Sequence, residues 1–116
     1  SPEAYATVVA GMRLAVTKGT ATELNRTSYP VCGKTGTAEN AGKDHSAFIG
    51  FAPMNHPKIA IAVYIEHGGF GADMAAPIAG LIMEEYLKGR LSPRSLATAK
   101  RLERMQTLEK RVSSTK

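Results

Sequence analysis

Lys34, Thr35, Gly36 and Thr37 place a cation, two hydroxyls and a glycine in four consecutive positions, within the run Val31-Cys32-Gly33-Lys34-Thr35-Gly36-Thr37-Ala38-Glu39. An ammonium group beside hydroxyl donors is a composition for gripping an anion. If the run is a strand, its side chains alternate faces, so Lys34 and Thr35 point opposite ways and cannot both meet a ligand lying flat on the sheet. Both can meet one lying along the strand's edge. Unpaired backbone amides become donors there, and Gly36 removes the side chain that would hold the ligand away. The run therefore reads as one wall of a cleft.

Two motifs compete for these residues. Gly33-Lys34-Thr35 matches the end of the phosphate-loop pattern G-x-x-x-x-G-K-[ST], but the first glycine of that pattern would have to be Ser28. A helix should also open directly after Thr35, whereas Gly36-Thr37 and Asn40-Ala41-Gly42-Lys43-Asp44 read as a strand end and a turn. The other motif is the Lys-Thr-Gly element of serine-nucleophile, penicillin-interacting enzymes, which sits on a strand beside the active site. Three residues alone are a weak signal, and an exposed polar edge strand would explain them equally well. The downstream sequence decides. His45-Ser46-Ala47-Phe48-Ile49-Gly50-Phe51-Ala52-Pro53, Pro57-Lys58-Ile59-Ala60-Ile61-Ala62-Val63-Tyr64-Ile65-Glu66, Gly68-Gly69 and Ala75-Ala76-Pro77-Ile78-Ala79 closely resemble the end of the transpeptidase domain of class B penicillin-binding proteins. The likeness runs from the first helix to about Leu87, and within class B it is best to the penicillin-binding protein 2 type that serves side-wall elongation.

The resemblance implies a peptidoglycan D,D-transpeptidase that transfers the acyl group of D-Ala-D-Ala stem peptides and is acylated by β-lactams. It implies that Lys34 supplies positive charge and hydrogen-bonds the serine of a Ser-x-Asn element. Thr35 and Thr37 would hold the terminal carboxylate, the Thr37 amide would form half of an oxyanion hole, and Gly36 would keep the cleft open. Ser-x-Asn does not occur in the 116 residues, and Ser-x-x-Lys occurs once, as Ser113-Ser114-Thr115-Lys116. That match follows Lys-Thr-Gly instead of preceding it, at a charged terminus with nothing to bury its lysine. The expectation is therefore that the nucleophile lies upstream of Ser1, that the chain is a piece of a longer one, and that it is inactive alone. The implied partners are the stem peptide, β-lactams, the remainder of the same domain and the elongation machinery, with no nucleic acid and no cofactor. The implied location is the bacterial cytoplasmic membrane, held by an anchor outside this chain, with the catalytic domain on the periplasmic or extracellular side. A different class remains open: a non-catalytic interaction module whose basic tail binds an anionic surface.

These residues need a scaffold, and the sequence outlines one. Ser1-Pro2-Glu3 opens a helix with a capping hydroxyl, a proline at the first helical position and an acid facing the dipole. Tyr5, Val8, Val9, Met12 and Val16 recur on one face and predict a covered stripe, with Gly19 as the stop. Residues 20–30 read as a polar, irregular connection. Residues 46–52 are apolar on both faces apart from Ser46, predicting a strand buried from both sides. Ile59, Ile61, Val63 and Ile65 predict a second interior strand, joined to the first as an antiparallel hairpin. Gly68-Gly69-Phe70-Gly71 is a flexible loop with no assigned role. A helix begins between Asp73 and Pro77, buries Ile78, Leu81, Ile82 and Tyr86, and ends at Lys88-Gly89. Ser92-Pro93 could open another, with Leu102, Met105, Leu108 and Val112 as a thin apolar stripe. The fold class is α/β (α+β): a transpeptidase-like fragment of helix, three-stranded antiparallel meander, helix and basic tail. Residues 1–90 form the C-terminal part of the transpeptidase domain, and 91–116 a basic tail that is either helical or disordered. A sheet apolar on both faces needs a layer on each side, and two short helices supply little more than one.

Composition bounds the rest. One small domain is the most that 116 residues can hold. No apolar run is long enough to span a bilayer. The single cysteine, Cys32, cannot form an internal disulfide and reads as a packed small hydrophobe. His45, His56 and His67 stand eleven residues apart. That is not metal-ligand spacing, so His45 and His67 read as hydrogen-bonded structural residues and no metal is expected. Asp44 and Glu39, beside a proposed carboxylate site, read as solvated. The net charge of +5 is uneven: residues 88–116 hold nine cations against two anions, +7, and the other 87 residues hold six cations and eight anions, −2. The basic character belongs to the tail.

Overall fold

The computed structural model describes residues 1–25, 28–39, 41–68, 71 and 73–114, with side chains described up to Met105. Helix α1 (Pro2–Thr17) is followed by a 3₁₀ turn (Thr22–Leu24), strands β1 (Cys32–Ala38), β2 (His45–Ala52) and β3 (Ile59–Ile65), and helices α2 (Ala75–Lys88) and α3 (Pro93–Ser114). The Ser1 hydroxyl accepts from the Ala4 amide at 3.2 Å, satisfying one of the amides that a helix start leaves unpaired. At the other end of the helical pair, Gly89 adopts φ 74° and closes α2 by donating to the Glu85 carbonyl at 2.9 Å.

The strands form one antiparallel sheet in the order β1-β2-β3. Register places Lys34 opposite Ile49, Gly36 opposite Ala47 and Thr37 opposite Ser46 in β2, which in turn sets Ile49 against Ala62 and Phe48 against Val63 in β3. Alternation then puts Phe48, Ala52, Ile59, Ile61, Val63 and Ile65 on one face. That face meets Ala75, Ala76, Ala79 and Met83 of α2, with Val16, Leu24 and Tyr29 completing the core. The Phe48 ring spreads over two glycines: a Cβ on Gly33 or on Gly50 would fall 2.2 Å or 2.6 Å from it. The buried Ser46 hydroxyl accepts from the Ala75 amide at 3.0 Å and pins the start of α2 to the sheet.

Four expectations change. Helix α2 buries its small residues instead of Ile82 and Tyr86, which are exposed. Close packing selects the face whose side chains let the backbone approach, and a Cβ on Gly80 would already lie 2.9 Å from the Leu24 side chain. The connection over residues 20–30 is not merely polar linker, since Ala21, Leu24 and Tyr29 are buried. β2 is not covered on both faces: Ile49 and Tyr64 of β3 are 56 % and 57 % exposed, because α2 supplies only one layer, and β3 ends the described sheet instead of lying inside it. The stripe of α1 is likewise largely open, with Tyr5 and Val8 exposed and Val16 buried. Periodicity reveals that a face is meant to be covered; it does not say by what.

A polar joint fastens α3. The buried Glu84 carboxylate accepts from the Ser92 amide at 2.6 Å and from the Ser95 hydroxyl at 2.9 Å, while the Ser92 hydroxyl caps α3 by accepting from the Ser95 amide at 3.2 Å. Leu102 is buried; Leu108 and Val112 lie outside the described side chains. Among the described residues no helix is long and apolar enough to cross a membrane.

Cys32 is fully buried, as a packed hydrophobe should be. Burial pushes its thiol above the usual value of 9.0, with the Arg13 charge acting weakly in the opposite sense. The unfolded chain therefore loses this proton first, so ionisation favours unfolding once the pH passes the ordinary thiol value. The folded chain is expected to resist a thiol-titrating reagent at neutral pH and to react at once in denaturant. Prompt reaction of the native chain would show that Cys32 is accessible.

Candidate active site

β1 pairs with β2 on one side only, so its other edge is open within the described sheet. Helix α1 fixes where that edge begins. Arg13 donates to the Val31 carbonyl at 2.8 Å, and the Met54 amide donates to the Pro30 carbonyl at 2.9 Å, closing the approach to β1. Cys32 and Gly33 are buried, whereas Lys34, Gly36, Thr37 and Ala38 are exposed and Thr35 is half-buried. The strand surfaces from the core at the motif.

The two faces separate the motif's functions. Lys34, Gly36 and Ala38 share a face with Ile49, Ala47 and His45, and Thr35 and Thr37 share the opposite one. The Lys34 ammonium donates to the Thr35 carbonyl at 2.8 Å and lines a groove of about 340 Å³ with Gly11, Leu14, Ala15, Lys18 and Gly19. Two cations and no carboxylate line that groove, so its field favours an anion. The Gly36 position is open: a Cβ there would meet only the Ala47 Cβ, at 3.7 Å.

On the other face, the hydroxyls are held by neighbours. Thr35 Oγ1 lies 2.7 Å from Thr20 Oγ1, and Thr37 Oγ1 accepts from the Gly71 amide at 3.3 Å. A hydroxyl that accepts from an amide keeps its own proton to donate, so Thr37 is set to hydrogen-bond an anion along the edge. Gly71 itself presses on β1; a Cβ there would lie 2.5 Å from the carbonyl oxygens of Gly36 and Ala47. Thus the glycine loop, given no role by the sequence, positions Thr37 through Gly71, while Gly69 and Phe70 lie outside the described residues. Its glycine run was the available signal. Lys18 and Thr20 had none, because only folding brings the end of α1 to Lys34 and Thr35.

The remaining polar residues support the far end of the strand. The His67 amide donates to His45 Nδ1 at 2.9 Å, and His67 Nδ1 lies 3.0 Å from the Lys43 carbonyl oxygen. The His45 ring also sits 5.4 Å from that of Tyr64. Glu39 is exposed, but Asp44 is half-buried and has an interaction partner, so solvated is the wrong description of it.

The edge strand thus offers an ammonium group and two hydroxyls within four residues. Residues 1–84 match the family described as penicillin binding protein transpeptidase domain. The chain is 36 % identical over 80 residues to the peptidoglycan D,D-transpeptidase MrdA of Haemophilus influenzae, an alignment covering 55 % of this chain and 12 % of that protein. It is 40 % identical over 70 residues to the peptidoglycan D,D-transpeptidase PbpA of Mycobacterium tuberculosis, covering 51 % and 14 %. Among solved structures, Pseudomonas aeruginosa PBP2 in complex with WCK 5153 superposes with a TM-score of 0.69 at 37 % identity, over 80 % of this chain and 22 % of that one. The imipenem acyl-enzyme complex of penicillin-binding protein A from M. tuberculosis gives 0.67 at 35 %, over 76 % and 20 %. The chain thus spans 12 to 14 % of the length of these relatives.

Proposed function

The chain belongs to the penicillin binding protein transpeptidase domain family, and from that premise we propose that it forms the Lys-Thr-Gly-Thr wall of the active site of a serine-type peptidoglycan D,D-transpeptidase. The observation that carries this reading is the open edge of β1, where Lys34, Thr35 and Thr37 surface together beside a cationic groove. The substrate would be a D-Ala-D-Ala stem peptide laid along that edge as an added strand. Thr35 and Thr37 would bind its terminal carboxylate, and Lys34 would supply the charge that draws it in. The Thr37 amide would donate to the carbonyl oxygen as it gains negative charge, and a donor fixed on a strand needs no reorganisation to do so. β-Lactams, which carry a carboxylate beside a reactive carbonyl, would enter the same way; that a β-lactam binds at all is supported by the imipenem acyl-enzyme complex of the mycobacterial relative.

The attacking hydroxyl and the second oxyanion donor would come from outside these 116 residues. Ser-x-Asn is missing from the sequence, and the single Ser-x-x-Lys match ends in Thr115 and Lys116, outside the described residues. On this reading residues 1–90 are the later part of the transpeptidase domain and 91–116 an appendage. The open face bearing Ile49 and Tyr64 would be covered by the rest of that domain. A site that acts on stem peptides would lie on the outer side of the bacterial cytoplasmic membrane, held by an anchor elsewhere, among proteins of side-wall elongation.

Labelling with a fluorescent penicillin tests the assignment. A chain extended upstream to include a Ser-x-x-Lys helix and a Ser-x-Asn loop should label, and the 116-residue chain should not. Stoichiometric labelling of the short chain, or an upstream sequence without those elements, would overturn it.

A further inference from the structure

Helix α3 begins beyond residue 84, where the family match stops, so that match does not account for its charge. Between α3 and the Thr22–Leu24 turn runs an open groove of about 640 Å³, lined by Arg94, Thr98, Arg101 and Arg104 from the helix and Thr22 and Glu23 from the turn. Three guanidinium groups face one carboxylate. Arg101 takes that carboxylate, donating to Glu23 at 2.8 Å, while Arg94 and Arg104 have no hydrogen-bond or ion-pair partner among the described residues.

Like charges held in one groove raise its potential without stabilising the fold. Arg94 is also misplaced for its helix: it lies in the first turn of α3, where the dipole favours anions, and that turn holds no acid. Its position serves neither a helix cap nor an ion pair. Arginine forks grip phosphate oxygens two at a time, and the Thr22 and Thr98 hydroxyls add neutral donors between them. Ten residues separate Arg94 from Arg104, or about 15 Å along the axis. A lone phosphate cannot span that distance.

We propose that this groove binds an extended polymer bearing repeated phosphate groups. None of its residues belongs to the β1 edge, so the inference stands or falls apart from the transpeptidase reading. Fluorescence anisotropy of the 116-residue chain with labelled long-chain inorganic polyphosphate supplies the test. Binding is expected, with a log–log salt slope of about −1.4 for the two unpaired guanidinium charges neutralised on a flexible strand. Arg94→Glu with Arg104→Glu should weaken it by about tenfold or more, while Lys100→Glu, a charge reversal on the same helix outside the groove, should change it little. The milder pair Arg94→Gln and Arg104→Gln should give an intermediate loss and serves if the reversals reduce the far-ultraviolet helix signal. Orthophosphate at matched phosphate concentration should not compete. No binding, equal weakening by Lys100→Glu, competition by orthophosphate, or equally tight capture by anionic phospholipid vesicles that is insensitive to the groove variants would each overturn the proposal.

Discussion

Lys34→Ala, in a chain that carries the complete domain, should slow acylation by a fluorescent penicillin by about 10²-fold or more while leaving the melting temperature within a degree or so. The two halves of that expectation have separate causes. Lys34 is exposed, and among the described residues its side chain makes one hydrogen bond, to the neighbouring Thr35 carbonyl, so truncation removes no core contact. Its charge, in contrast, is one of two lining the groove beside the strand, and the other, Lys18, sits on the end of α1. Loss of a fixed donor at a developing oxyanion typically costs about 3 kcal/mol, and a comparable figure is expected for a cation that holds the anionic substrate in register. Lys34→Arg keeps the charge but replaces a compact ammonium by a planar fork, so partial recovery is expected. An unchanged acylation rate in Lys34→Ala would remove Lys34 from the site.

Two glycines three positions apart should respond in opposite ways to the same methyl group. At Gly33 the added Cβ would lie 2.2 Å from Phe48 Cζ and 2.9 Å from the Ile49 carbonyl oxygen. The Phe48 ring is 1 % exposed, and the backbone of β2 cannot retreat, so the clash is relieved only by moving the ring that fills the core. Overpacking of this kind destabilises by about 1–3 kcal/mol, and each kcal/mol lowers the melting temperature of a domain this small by about 4–8 °C. At Gly36 the new Cβ would make one ordinary contact, with the Ala47 Cβ at 3.7 Å. Gly36→Ala should leave thermal stability within about 0.5 kcal/mol of the parent and still slow acylation of the complete domain, because the methyl projects on the face that Lys34 shares. Thermal melts of both variants alongside penicillin labelling separate the cases. A destabilised Gly36→Ala with normal labelling would mean that this glycine serves the fold and not the cleft.

Much of this could be read before any coordinates. The helix start at Ser1-Pro2-Glu3, the stop at Gly89 and the meander of three strands follow from local chemistry: capping hydroxyls, a left-handed glycine, and apolar runs divided by proline and glycine. The four-residue motif was equally legible, because cation, hydroxyl and glycine types are written in the sequence itself. Contacts across long separations were not. The bond from Gly71 to Thr37 joins residues 34 apart, and nothing local in either marks the other. The face that α2 buries is not legible either, since periodicity ranks side chains by hydrophobicity whereas packing ranks them by how closely two backbones can approach.

The sequence alone determined the elements, their order and the chemical character of the Lys34–Thr37 run, because propensity, capping and side-chain type act within a few residues. Tertiary structure decided that β1 is an edge, that Lys18 and Thr20 reach it from the end of α1 and the turn that follows, and that three arginines of α3 gather against the Thr22–Leu24 turn. Those outcomes depend on which surfaces exclude water together, and that is a property of the whole chain rather than of any stretch of it.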